Sequence, residues 1–112
     1  MSTHVLDTSA GRPARDVPVT LSVRTGDASR WRVHGESRTD GDGRCRDLSP
    51  LPESTTHAQL VFETTDYFEE EAGRETGAFF PEVTVAFAVV PGEHYHVPLL
   101  LNPFGYSVYR GS

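Results

Sequence analysis

Apolar residues in the first third of the chain recur at every second position: Val17, Val19, Leu21 and Val23 alternate with Pro18, Thr20 and Ser22. Successive side chains of a strand point to opposite faces, so this spacing predicts a strand with one buried face. Trp31 and Val33 alternate with Arg30, Arg32 and His34 in the same way, until Asp40-Gly41-Asp42-Gly43 breaks the run. Two Asp-Gly steps in succession mark a tight reversal. Leu60 and Phe62 resume the alternation. The segment Thr65 to Gly73 then changes period: Asp66 and Glu69 have capping-box spacing, and Gly73 is placed to stop one short helix.

After Phe79-Phe80-Pro81 the alternation returns with Val83, Val85, Phe87 and Val89 on one face, and Pro91-Gly92 turns the chain. His94 to Leu101 reads as a strand with His94, His96, Pro98 and Leu100 on one face and Tyr95, Val97, Leu99 and Leu101 on the other. Asn102-Pro103 and Gly105 interrupt it, and Tyr106 to Arg110 reads as a last short strand. Seven or eight short strands and one helix predict an all-β sandwich, with a small barrel as the alternative.

Length and composition narrow the function. A chain of 112 residues is expected to be a single domain, spanning 1–112, large enough to fold without metals or disulfides. All ten basic residues are arginine, so Schiff-base chemistry, a Walker lysine and a lysine general base are excluded. A net charge of −6, with the arginines scattered, makes nucleic acid an unsuitable partner. Val83 to Gly92, the longest nearly uncharged apolar stretch, falls far short of the ~20 residues a spanning helix needs, and no membrane partner is expected. The single Cys45 cannot form an internal disulfide and no secretory signal is visible, so a cytoplasmic, reducing location is expected.

Several residues could carry chemistry. His94 and His96 lie two apart on a predicted strand and so share a face, while His4 lies in His-Val-Leu-Asp, which also has strand character. Three converging histidines raise a zinc site as one reading, and an ordinary hydrogen-bonded pair as the other. Arg44 follows the Asp-Gly turn, where its guanidinium could reach across a sheet end or simply be solvated. Cys45 reads as a small buried hydrophobe. Asp40 and Asp42 resemble the start of a calcium loop, but Arg44 occupies the third ligand position and the match fails. Nucleophile elbow, glycine-rich phosphate loop and CxxC pair are absent. Tyr109-Arg110-Gly111-Ser112 follows a strand with no polar spacer, which predicts a packed end.

Three segments together resemble one family. His4-Val5-Leu6-Asp7 with Gly11-Arg12-Pro13-Ala14, then Asp42-Gly43-Arg44, then His94-Tyr95-His96-Val97-Pro98-Leu99-Leu100 through Tyr109-Arg110-Gly111-Ser112 are similar to the 5-hydroxyisourate hydrolases, the transthyretin-related family of urate catabolism. Asp66-Tyr67-Phe68 and Phe79-Phe80-Pro81-Glu82 fit the same pattern. The terminal Tyr-Arg-Gly-Ser is the most specific part, because transthyretin carriers share the fold and lack that ending. Asn102 and Val108 stand where small hydroxyl residues would be expected.

The resemblance implies a transthyretin-like sandwich of two four-stranded sheets, assembled as a homotetramer with sites where dimers meet. It implies hydrolysis of a ring amide in 5-hydroxyisourate, giving 2-oxo-4-hydroxy-4-carboxy-5-ureidoimidazoline, and we expect neither metal nor cofactor. It places the catalytic set on His4, Arg44, His96 and Ser112 and the substrate-binding set on His4, Arg44 and Tyr109, with His94 outside both. The residue types suit the reaction: a neutral imidazole can take a proton from water, and a guanidinium can hold a carbonyl-rich substrate and stabilise developing charge. Two rivals remain: a transthyretin-like carrier without turnover, and a zinc hydrolase using His4, His94 and His96.

Overall fold

The computed structural model describes residues 1–26, 30–71, 73 and 78–112. Among the described residues the chain folds as nine strands: β1 (Ser2–Asp7), β2 (Arg12–Pro13), β3 (Pro18–Arg24), β4 (Arg32–Arg38), β5 (Arg44–Cys45), β6 (His57–Glu63), β7 (Glu82–Ala88), β8 (His96–Asn102) and β9 (Gly105–Val108). They form two sheets, one ordered β4-β3-β6-β7 and the other β2-β1-β8-β9 with β5 also on β1. The second sheet has five strands where four are expected, for a simple reason. β8 runs parallel to β1 along Ser2–Asp7 and takes one of its edges. β2 pairs at Leu6 and Asp7 and β5 at Thr3 and His4, so these two short strands share the other edge and the sheet remains four strands wide.

Register explains the core. Val19 lies opposite Phe62, Leu21 opposite Leu60 and Val23 opposite Ala58, so each apolar pair shares the inner face. Val5, Val97, Leu99 and Leu101 close over them from the other sheet, and all of these side chains are buried. Asp7 is buried as well, and its carboxylate is satisfied: it accepts from the Ser9 and Ala10 amides, the Ser9 hydroxyl and the Tyr67 hydroxyl at 2.6–3.0 Å. Burial pushes the Asp7 pKa up, but these hydrogen bonds outweigh it and hold the group below its ordinary value.

Two expectations are corrected. β4 is an edge strand, and Val33 in it is 67% exposed, because alternation there faces solvent instead of the core. The helix between β6 and β7 begins at Thr65, as expected, and continues through a wide turn, Tyr67–Glu71, but its cap differs from the expected one. The Thr64 carbonyl already accepts from the Phe68 amide at 3.2 Å, so Asp66 lies inside the helix and not at its cap. Gly73 has φ +72°, a backbone state that suits the expected stop, while residue 72 lies outside the described residues.

Candidate active site

Along β1 the side chains of Thr3, Val5 and Asp7 are buried, which turns Ser2, His4 and Leu6 outward. β5 brings Arg44 directly opposite His4 on that outer face. The Asp-Gly turn sets this register. Asp40 accepts from the Asp42 and Arg44 amides at 2.9 and 3.0 Å and from the Arg46 guanidinium at 2.9 Å. The bond from the Arg44 amide is the main reason the Asp40 carboxyl lies below its ordinary pKa, with the Asp42 amide and the Arg46 and Arg44 charges adding to it. Gly43 has φ +76° and its missing side chain is required, since a Cβ there would collide with the Val5 carbonyl. The His4 Nε2–H donates to the Asp42 carbonyl at 2.8 Å and ties β1 to the same turn.

β8 supplies His96 on the outer face, directly opposite Ser2. The Ser2 Oγ lies 2.8 Å from His96 Nδ1. The chain end is held by its main chain while the side chains of Tyr109, Arg110 and Ser112 stay exposed: after β9 the tail continues the ladder along β8, with the Tyr109 amide donating to the Pro98 carbonyl and the Gly111 amide donating to the His96 carbonyl at 2.7 Å. Arg110 stacks 4.8 Å from the centre of the Tyr95 ring and reaches Glu93 at 3.5 Å.

These elements border an open cavity of about 240 Å³. Arg44, His96 and Ser112 line it together with Ser2, Arg46 and His94. His94 precedes β8 instead of lying on it, yet joins the same cavity. His4 stands beside Arg44 but is turned to the Asp42 carbonyl and is not part of the lining. Tyr109 is 54% exposed and borders a separate apolar groove with Val85, Phe87, Val97 and Val108. Cys45 is buried at the cavity wall, and burial raises its thiol pKa, which fits a small hydrophobe and not a nucleophile.

The charge in the cavity is one-sided. Arg46 is paired with Asp40, whereas among the described residues no carboxylate pairs with Arg44. Burial, followed by the charges of Arg44, His4 and His94, pushes the His96 imidazole below its ordinary value, and a hydrogen bond to the Ser2 main chain opposes this. The neutral, proton-accepting form of His96 is therefore favoured. Among the described residues, no three His, Cys, Asp or Glu side chains converge to hold a metal ion. Also among the described residues, no helix is long and apolar enough to cross a membrane. Sequence reasoning missed Ser2 and Arg46. For Ser2 the signal was present, since it lies two residues from His4 on one strand face.

Comparison with known proteins places this geometry in context. Residues 1–111 match the HIUase/Transthyretin family. The 5-hydroxyisourate hydrolase of Salmonella dublin is 40% identical over 114 residues, covering 100% of this chain and 80% of that protein. The structure of Klebsiella pneumoniae 5-hydroxyisourate hydrolase is 36% identical with a TM-score of 0.77, covering 99% of this chain and 97% of the other. Transthyretin from Sparus aurata superimposes with a TM-score of 0.84 at 26% identity, covering 98% of this chain and 94% of the other. With its sandwich, its terminal Tyr109-Arg110-Gly111-Ser112 laid along β8 and a match over nearly its whole length, the chain belongs to the HIUase/transthyretin family.

Proposed function

We propose that this chain, acting as one domain, hydrolyses 5-hydroxyisourate in urate catabolism, with His96 as general base, Arg44 as anchor and charge stabiliser, and Ser112 as an orienting group. The observation that carries this reading is the convergence on one cavity of an imidazole biased toward its neutral form and a guanidinium that, among the described residues, has no carboxylate partner. The hydrolase names of the Salmonella and Klebsiella relatives support the activity.

In this mechanism the Arg44 guanidinium holds the carbonyl edge of the substrate bidentately. His96 takes a proton from water as its oxygen bonds to the ring amide carbon, and Arg44 stabilises the charge that collects on the carbonyl oxygen. The C–N bond then breaks and the imidazolium returns its proton to the leaving ring nitrogen. His4 supports Arg44 through its bond to the Asp42 turn, and Tyr109 contributes from a neighbouring position in the assembled protein. No step needs a metal or cofactor.

We extend the reading to a cytoplasmic homotetramer, in which a second subunit covers the outer face of β1 and β8 and completes a site that one small sandwich leaves open. Sedimentation at catalytic concentrations is expected to show four copies. An ultraviolet time course with freshly made 5-hydroxyisourate is the decisive assay. Turnover lost in His96→Ala and Arg44→Ala, reduced in His4→Ala and unchanged after exhaustive chelation is expected. Binding without turnover would mean a carrier, and activity lost on chelation would mean a zinc hydrolase.

A further inference from the structure

Ser2 is the partner of His96 in the parallel ladder between β1 and β8, and both side chains point away from the core because Thr3 and Val97 beside them are buried. Neighbouring strands lie ~4.8 Å apart, so the short serine side chain reaches the near nitrogen of the ring, and Oγ stands 2.8 Å from Nδ1. The main chain here is firmly held: the Ser2 amide donates to the Tyr95 carbonyl at 2.9 Å, and the Thr3 hydroxyl donates to the Val97 carbonyl.

A neutral imidazole carries one hydrogen, and its position decides whether the other nitrogen can act as a base. The Ser2 hydroxyl oxygen can accept from a ring N–H, so the 2.8 Å contact accommodates a hydrogen on Nδ1 and would leave Nε2 without one. The Cδ2 edge of the ring faces Gly111. Gly111 packs so closely that an added Cβ would stand 2.6 Å from His96 Cδ2, and its amide is bonded to the His96 carbonyl.

We propose that Ser2 is a positioning residue for the hydrolysis, holding His96 as the Nδ1–H tautomer so that the Nε2 lone pair is free to take the proton of the attacking water. The assignment rests on the hydrolase reading above and makes it specific. Ser2 itself need not touch the substrate. It acts through the ring, as the outer hydrogen-bond partners of metal-bound histidines do, whose loss typically costs about 10- to 100-fold.

Long-range ¹⁵N–¹H correlation spectra of the ¹⁵N-labelled full chain, recorded above the His96 titration, test the tautomer directly. The expected result is a protonated Nδ1 and a pyridine-type Nε2 for His96, with mixed tautomers in Ser2→Ala. Kinetically, Ser2→Ala is expected to lose about 10- to 100-fold in kcat with KM within about twofold, and Ser2→Thr to recover most of it. A wild-type spectrum with the hydrogen on Nε2 would overturn the proposal, as would Ser2→Ala with wild-type kcat. If Ser2→Ala failed to fold, the wild-type spectrum would still decide. A wild-type protein that did not turn over 5-hydroxyisourate would overturn the hydrolase reading instead, and the tautomer measurement would stand apart from that failure.

Discussion

Gly111 lies against the ring of His96 while its amide donates to the His96 carbonyl at 2.7 Å, so backbone and side chain of the same histidine are both set by the chain end. The constraint is one of space and not of conformation, because Gly111 is not among the glycines with positive φ.

Gly111→Ala is therefore expected to fold normally and to displace the His96 ring or the tail. Misplacing a catalytic group by about 1 Å can cost about 10²-fold. A fall of that order in kcat, with an unchanged unfolding midpoint, is the predicted outcome in steady-state kinetics and thermal denaturation. Wild-type kcat would show that the contact does not bear on catalysis.

Arg110 anchors the same tail by stacking on Tyr95 and reaching Glu93, whose carboxylate also accepts from the Tyr95 hydroxyl at 2.9 Å. Exposed cation–π contacts contribute about 0.5–1 kcal/mol, too little to govern global stability but enough to hold a short tail. In Arg110→Ala, amide exchange at Gly111 is expected to accelerate and kcat/KM to fall several-fold, while Arg110→Lys is intermediate. Unchanged exchange at Gly111 would mean that the ladder along β8 alone retains the tail.

The pH dependence follows from the lowered pKa of His96. Only the neutral ring can act as base, and burial together with the nearby charges disfavours its protonated form. More acid is then required to silence it than for a free imidazole. The acid limb of kcat/KM is predicted to have its midpoint below 6.5, with a plateau above. The same shift affects folding. The unfolded chain binds this proton first, so the contribution of His96 to stability is fully present above 6.5 and declines as pH falls toward the folded value. An acid limb at or above 6.5 would remove His96 from the role of base.

The buried bond from the Tyr67 hydroxyl to Asp7 measures 2.6 Å and joins β1 to the helical turn. Burial, with Asp7 as bond partner and neighbouring charge, pushes Tyr67 up to about 12, so it is a donor throughout the working range. Tyr67→Phe leaves a buried carboxylate one donor short, and a loss of about 1–3 kcal/mol is expected in chemical denaturation. Because the folded pKa of Asp7 lies below 3.8, its stabilisation is present above that value and is lost as pH falls through the folded pKa. The gap in stability between wild type and Asp7→Asn should narrow in acid. A constant gap would place the effect in packing instead of charge.

Much of the architecture was legible from period-two alternation, which marks β3, β6, β7 and β8 because each buries one face. The same rule fails at Val33, since alternation does not say whether a strand is central or at an edge. The helix was legible and its cap was not: the Thr64 carbonyl takes the first helical bond, and that choice depends on how β6 ends. Within the site, Arg44 was legible as the residue after a turn, and the terminal Gly111-Ser112 as part of an end tied to its neighbouring strand.

What the sequence by itself determined is the chemistry at hand: arginines without lysine, few histidines, and a chain end with no fraying residues. Only the tertiary structure decided which of these groups meet. The parallel pairing of β1 with β8 joins Ser2 to His96 across 94 positions, and β5 sets Arg44 beside His4. Such pairings depend on closing long loops and matching two sheets around one core, and residues that distant carry no shared period along the chain. The separation of His4 and Tyr109 from the cavity within one chain has the same origin, because the direction of a side chain is settled by its neighbours in space.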